Sequence, residues 1–207
     1  MRGFLFFSFL LSYLVGSIPT AYILVKFFKG IDIRKFGSGN VGATNAIRVL
    51  GKKKGILVLI IDVVKGVIPV VFLANFFKSK ITFIPESLLR VILGVFAVIG
   101  HNWTLFLKFK GGKGVATTFG VLIGLAVKLE GFVLVLITCL FTWTFVFILS
   151  RIVSLSSIIT ALFFPLFMIL FRQSKELILA SFIFASFILL RHLSNIRRLL
   201  QKKEPKI

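Results

Sequence analysis

Val115-Ala-Thr-Thr-Phe-Gly-Val-Leu-Ile-Gly-Leu-Ala-Val127 decides how this chain is threaded. A helix crossing the hydrocarbon core of a bilayer needs about 20 apolar residues, and this run is shorter than that. Six longer or comparable apolar runs surround it: Gly3–Phe28, Gly55–Phe77, Leu88–Leu107, Phe132–Leu149, Leu155–Phe171 and Leu177–Leu190. If Val115–Val127 crosses, there are seven spans and the flanking cations divide 18 to 7 between the two faces. If it does not, they divide 14 to 11. Positively charged loops stay on the cytoplasmic side, so the sharper division favours seven crossings, with the N-terminus outside and the C-terminus cytoplasmic. A short helix is tolerated where protein rather than lipid surrounds its ends. The expectation is therefore an all-α integral membrane protein, a polytopic bundle of seven transmembrane helices, forming one domain over residues 1–207. Only that threading puts the loops Gly37–Arg48, Gly111–Gly114, Arg151–Ser157 and His192–Arg198 on one, cytoplasmic, face.

Composition agrees. The 207 residues are 58% hydrophobic, with a mean hydropathy of +1.06, against roughly 45–50% apolar in soluble domains. Lys and Arg number 26 and Asp and Glu only 6. On a soluble chain that imbalance points to nucleic acid. Here the cations punctuate apolar runs, and no RNA-binding motif or stacking platform accompanies them. They read as topology signals and contacts to anionic lipid, with no nucleic-acid partner. The first run is too long for a signal peptide and lacks a cleavage site, so it is kept as a mature span. Cys139, the single cysteine, lies mid-span and reads as a small core residue. Gly120 and Gly124 make a GxxxG helix-packing face.

The richest polar stretch is Gly37-Ser-Gly-Asn-Val-Gly-Ala-Thr-Asn45, followed by Arg48 and Lys52-Lys-Lys54. Small residues let backbone N–H groups approach a ligand; Ser38, Asn40, Thr44 and Asn45 add side-chain donors, and Arg48 can bind phosphate through two parallel hydrogen bonds. The formal GxGxxG match over Gly37–Gly42 is a decoy, because a membrane helix rather than a strand precedes it. A flexible interhelical loop with lipid-facing cations is the plainer alternative.

A second candidate is Phe109-Lys-Gly-Gly-Lys-Gly-Val-Ala-Thr117. It is not a Walker A motif. It does end a loop and open a helix near Val115, and glycines ahead of a helix N-terminus form an anion site to which Lys113 adds charge. His101, Asn102 and Trp103 sit just upstream; Trp103 fits an interface anchor and His101 a structural histidine. The third candidate is Arg191-His-Leu-Ser-Asn-Ile-Arg-Arg198. His192 and Asn195 are three apart and so share a helix face; a basic juxtamembrane anchor is the alternative. Asp62 and Lys65, also three apart, read as a structural ion pair inside the second span. Ser154, Ser156 and Ser157 fit helix caps better than phosphate donors.

Several chemistries are excluded. No cluster has metal-ligand spacing, no G-x-S-x-G elbow occurs, and neither histidine is followed by an acidic residue at the His-x4-Asp acyltransferase spacing. No metal or cofactor is expected. Acid–base work falls to His192, His101 or the substrate. Without a carboxylate to hold the imidazole's tautomer, His192 fits an orienting role better than that of a base.

These motifs make the chain resemble the PlsY family, bacterial membrane acyltransferases that use acyl-phosphate. The resemblance runs from Gly16-Ser-Ile-Pro19 and Gly30-Ile-Asp-Ile-Arg34 through the first motif and Asp62-Val-Val-Lys-Gly66. It continues through His101 and Phe106–Thr117 to His192, Asn195-Ile196, Arg198-Leu199 and Glu204. Departures are small: Thr104 where the family usually has proline, Ser194 where an acidic residue is usual, and Lys202 in place of a glycine. The resemblance implies a seven-helix fold in the bacterial cytoplasmic membrane. It implies transfer of a fatty acyl group from acyl-phosphate to the sn-1 hydroxyl of glycerol 3-phosphate, the first acylation of phospholipid synthesis. It also implies functional links to an enzyme that makes acyl-phosphate and to the next acyltransferase. Ser38 and Arg48 are then needed for activity, Gly111, Gly112 and Gly114 serve glycerol phosphate binding, and His192 and Asn195 carry the third motif. Arg48, Lys113, His192 and Asn195 are the expected catalytic set for glycerol phosphate. Ser38, also in the expected catalytic set, is expected with Thr44 and the glycine-loop amides at the acyl-phosphate head and the developing oxyanion, and Gly37, Gly39, Asn40 and Asn45 are expected to bind substrate. A transporter for an organic phosphate or another anion is the rival reading. It explains the basic loops and the Asp62–Lys65 pair, but alternating access expects a site at the midplane.

Overall fold

A computed structural model describes residues 2–206, and the regular structure there is helical throughout. The α-helices are α1 (Arg2–Ser17), α2 (Thr20–Lys29), α3 (Ala43–Leu50), α4 (Lys52–Ile68), α5 (Ala74–Phe77), α6 (Glu86–Asn102), α7 (Val115–Lys128), α8 (Phe132–Ser150), α9 (Val153–Leu170), α10 (Lys175–Arg191) and α11 (Leu193–Leu200). All seven apolar runs reappear, most with ends within a few residues of those expected.

Among the described residues, five stretches are long and apolar enough to cross a membrane: Arg2–Lys29, Lys52–Phe77, Glu86–Leu107, Phe132–Ser150 and Val153–Leu170. Helix α10 joins them if it and α11, bent by 62° from each other, count as one span. The decisive α7 has 14 residues, about 21 Å of helix at 1.5 Å per residue. This is a multi-pass membrane protein.

The expected span Leu88–Leu107 leaves the α-helix after Asn102 and ends in a 3-10 turn, Leu105–Leu107, and two other expected spans are interrupted at proline. Pro19 separates α1 from α2, because proline lacks an N–H and disfavours helical geometry in the residue before it. Pro69 opens a π-helical turn, Pro69–Leu73, between α4 and α5. Arg90 Nη1 donates to the Val70 carbonyl in that turn at 2.5 Å, and Arg90 also bonds Asn75 and Glu86. Arg90, one of the cations counted on the outer face, is thus buried and committed to the turn.

The chain forms two compact units, the first ending at Gly124 and the second beginning at Leu125, within α7. In the first unit, small residues bring helices together. A Cβ on Gly16 would collide with the Ala97 backbone, and one on Gly100 with the Tyr13 carbonyl and the Ser17 nitrogen. Helices α1 and α6 therefore touch backbone to backbone. Thr104, at the family's proline position, donates its hydroxyl to the Ser17 carbonyl at 2.5 Å. The GxxxG face packs as expected: a Cβ on Gly120 would strike Val63, and one on Gly124 the Val70 side chain. Close approach of this kind, rather than hydrophobic transfer, holds helices together in lipid. A buried cluster of Ala21, Val25, Ile33, Val41, Ala46, Val58 and Leu107 anchors the polar loops.

In the second unit α8, α9 and α10 carry the spans. Cys139 is buried, as are Phe164 and Phe184. Trp143 Nε1 donates to Ser157 Oγ at 3.2 Å, tying α8 to α9. Phe141 and Leu149 of α8 are widely exposed, as lipid-facing side chains are.

Candidate active site

The first motif is built around one side chain. Asn45, in the first turn of α3 and 2% exposed, reaches back across the loop that precedes it. Its Oδ1 accepts the Ser38 N–H at 2.9 Å. Its Nδ2 donates to the carbonyls of Phe36 and Asn40, both at 3.0 Å, and more weakly to Ile33 at 3.5 Å. The loop is drawn into a ring around this amide. Gly37 and Gly39 have φ of +59° and +70°, a region that suits glycine. A Cβ on Gly37 would also collide with Asn45 Oδ1. Asn45, expected as a substrate donor, is therefore the loop's scaffold.

What the ring presents is Ser38, exposed, with Asn40 and Thr44 half-buried beside it in sequence. Arg48 lies exposed in the last turn of α3. The ring is locked from the other end by Asp32. Its carboxylate accepts the Arg34 N–H at 3.0 Å and grips the guanidinium through bonds of 2.6–3.1 Å. The side-chain bond from Arg34 holds the Asp32 carboxyl down to about 2.

The second motif grows from the end of α6. Leu107 anchors it in the same buried cluster as Ile33 and Ala46. The Gly111 N–H donates to the Asn102 carbonyl at 3.2 Å and the Gly112 N–H to the His101 carbonyl at 3.0 Å. The two central glycine amides thus bond within the protein. Gly114, with φ of +78°, turns the chain into α7. The Thr118 N–H closes the first helical bond onto the Gly114 carbonyl at 2.7 Å. A helix leaves its first amides without an intrahelical acceptor, so the donors of this loop lie at Val115–Thr117, next to the half-buried Lys113.

Beneath the loop, Lys65 Nζ pairs with Asp62 Oδ1 at 2.8 Å and donates to the Ile18 carbonyl at 2.9 Å. This is the structural ion pair expected from the sequence.

The third motif lies in the second unit. His192 and Asn195 were expected to share a helix face. The helix breaks at His192, with φ −104° and ψ 7°, and Asn195 lies in the first turn of α11, which starts at Leu193. Both are 3% exposed. His192 Nδ1 lies 2.8 Å from the Ile188 carbonyl. A carbonyl only accepts, so Nδ1 carries the hydrogen and Nε2 is the basic nitrogen of the neutral ring. The tautomer is thus held by the backbone, an anchor that no side-chain spacing reveals.

Asn195 Nδ2 donates to Glu204 Oε1 at 2.5 Å. Ser154 Oγ bonds the same oxygen at 2.7 Å, and Arg198 Nε donates to Oε2 at 2.7 Å. Glu204, in the tail, clamps the start of α9 to α11. Burial pushes its carboxyl up, but these three hydrogen bonds outweigh burial and hold it below the usual range. Sequence reasoning gave this residue no role of its own. The signal was there: it is one of only 6 acids in the chain, set in a basic tail. Ser156 and Ser157, expected as caps, bond back to the carbonyls of Ile152 and Val153.

Comparison with known proteins accords with these motifs. A family model described as glycerol-3-phosphate acyltransferase matches residues 6–202. A glycerol-3-phosphate acyltransferase of Desulforamulus reducens is 42% identical over 95% of this chain and 92% of its own length. One of Macrococcus caseolyticus is 42% identical over 96% of this chain and 94% of its own. The crystal structure of PlsY, an integral membrane glycerol 3-phosphate acyltransferase, in its glycerol 3-phosphate form is similar with a TM-score of 0.85. It is 34% identical, covering 98% of this chain and 95% of that one. The lysophosphatidic acid form of PlsY gives 0.82. The chain belongs to the PlsY family of integral membrane glycerol-3-phosphate acyltransferases.

Proposed function

We propose that this protein transfers a fatty acyl group from acyl-phosphate to the sn-1 hydroxyl of glycerol 3-phosphate, giving lysophosphatidic acid and inorganic phosphate. The observation that carries this reading is the likeness to PlsY, whose structures hold glycerol 3-phosphate and lysophosphatidic acid, an acceptor and a product of such a transfer. Acyl-phosphate as donor fits loops that combine a presented serine with fixed cations, since the leaving group is itself a phosphate.

In the reaction the sn-1 oxygen attacks the acyl carbon, the acyl–phosphate C–O bond breaks, and the hydroxyl proton ends on the departing phosphate. That phosphate is a good leaving group, so positioning and charge stabilisation supply most of the catalysis. Arg48 and Lys113 hold glycerol phosphate. Ser38, presented by the Asn45 ring, donates to the acyl-phosphate head with Thr44. Asn40, Gly37 and Gly39 shape that loop, and Gly111, Gly112 and Gly114 shape the approach to the α7 amides. His192 accepts a hydrogen bond from the acceptor hydroxyl through Nε2 and orients it, while Asn195 and Glu204 hold the turn that carries it. Some of the 26 phenylalanines line the membrane spans where an acyl chain lies.

The whole chain acts as one acyltransferase with seven crossings of the bacterial cytoplasmic membrane, α7 among them. The N-terminus is outside and the C-terminus cytoplasmic. Acyl-phosphate must come from an enzyme that phosphorylates or phosphorolyses acyl groups, and a second acyltransferase takes the product. Purified protein in detergent should release phosphate from acyl-phosphate only when glycerol 3-phosphate is present. A detergent-solubilised transporter has no such activity.

A further inference from the structure

The residues under the glycine loop form a line. Asp62 and Lys65 of α4 are 1% and 4% exposed, and their ion pair is fixed at the α1–α2 break through the Ile18 carbonyl. His101, in the last turn of α6, has Nδ1 3.9 Å from Asp62 Oδ1, an electrostatic contact longer than a hydrogen bond. The far edge of the same imidazole faces Gly112. A Cβ on Gly112 would overlap His101 Nε2, with Cε1 and Cδ2 at 2.9 and 3.0 Å. The His101 carbonyl takes the Gly112 N–H as well. A Cβ on Gly111 would run into the backbone of His101 and Asn102. The loop is thus laid directly on the last turn of α6, with the imidazole as its floor.

This arrangement separates two reasons for a glycine. A glycine in a phosphate loop usually lets the ligand approach its backbone. Gly112 is buried and its N–H is already donated within the protein, so ligand approach does not explain it. The imidazole does.

We propose that His101 is a positioning residue for the glycine loop. Asp62, held by Lys65, sets the imidazole. The imidazole sets the height of Gly112, and through it the aim of Lys113 and the first amides of α7. Gly112 is a glycine because His101 occupies the space a side chain needs. This rests on the reading above that the loop serves glycerol phosphate.

A double-mutant cycle tests it in the full-length protein in detergent, with acyl-phosphate and glycerol 3-phosphate as substrates. Gly112→Ala should raise the KM for glycerol 3-phosphate about tenfold in the wild-type background, and by less than about twofold in the His101→Ala background, where the clash is gone. The kcat at saturation should change much less than KM. The thermal midpoint lost by Gly112→Ala should likewise be regained in that background. An equal penalty in both backgrounds would show that Gly112 serves the ligand and overturn the proposal. If His101→Ala does not fold, the paired change Asp62→Asn with Lys65→Met removes the buried charges without leaving one uncompensated. It should raise KM at least about threefold with kcat nearly kept, and an unchanged KM overturns the proposal. If the wild type makes no lysophosphatidic acid, the functional reading fails. The thermal cycle then still decides whether His101 dictates Gly112.

Discussion

The side-chain oxygen of Asn45 accepts the backbone N–H of Ser38 at 2.9 Å, while the amide nitrogen of Asn45 holds the carbonyls on either side of that serine. The serine is placed by a residue that sequence reading assigns to substrate. Asn45→Ala removes three such bonds, each worth about 1 kcal/mol net, and leaves backbone groups of the loop unpartnered. Its kcat/KM should fall at least about tenfold. Asn45→Asp should do no better, because it keeps the acceptor for Ser38 but turns a carboxylate toward two carbonyls. A kcat/KM within twofold of wild type for either variant would refute the scaffold role.

His192 is held by the Ile188 carbonyl through Nδ1, which leaves Nε2 as the acceptor. His192→Gln supplies an amide oxygen in its place. It should retain measurable activity, with a larger change in KM for glycerol 3-phosphate than in kcat. Loss of kcat at saturating substrate, with the acidic limb of the pH profile abolished, would make His192 the base instead.

Glu204 links acid stability to the third motif. Its folded-state carboxyl lies below its ordinary value despite burial. A depressed acid stabilises the fold above the ordinary carboxylate range, and that stabilisation is lost as pH falls through the folded value. The thermal midpoint of the wild type in detergent should therefore drop between about pH 6 and about pH 3 more steeply than that of Glu204→Gln. At neutral pH the variant should already be less stable, since an amide cannot accept from Ser154, Asn195 and Arg198 together. Parallel pH curves for the two proteins would remove Glu204 from this role.

The longer spans were legible because each is a long apolar run, and the GxxxG face because close backbone approach admits few residues. Helix α3 was not, nor was the 62° bend that makes α11 a separate helix. Each of these two helices is short and amphipathic, and tertiary contacts rather than propensity hold it: the Asn45 ring for one, the Glu204 clamp for the other. The break at Pro19 was readable in principle, since proline interrupts the helical ladder, but hydropathy runs straight through it. In the site, residue types were legible and roles were not. Asn45 and Asn195 look like ligand donors in sequence, yet both use their amides on the protein. Glu204 meets Ser154 across 50 positions, a contact that local spacing cannot show. His101 meets Asp62 in the same way.

The proposed threading rests on the cation division and on α7 crossing the membrane. Cysteines at Lys53 and Lys203 should label only after permeabilisation, and one at Ser79 in intact cells; all three positions are exposed. Native Cys139 is 3% exposed and should stay silent. The opposite pattern would overturn the seven-span orientation.

The most direct test is the acyl donor. Purified protein in detergent, given glycerol 3-phosphate, should form lysophosphatidic acid and release phosphate from acyl-phosphate, with little or no product from acyl-CoA of the same chain. Comparable turnover with acyl-CoA, or none with acyl-phosphate, would contradict it.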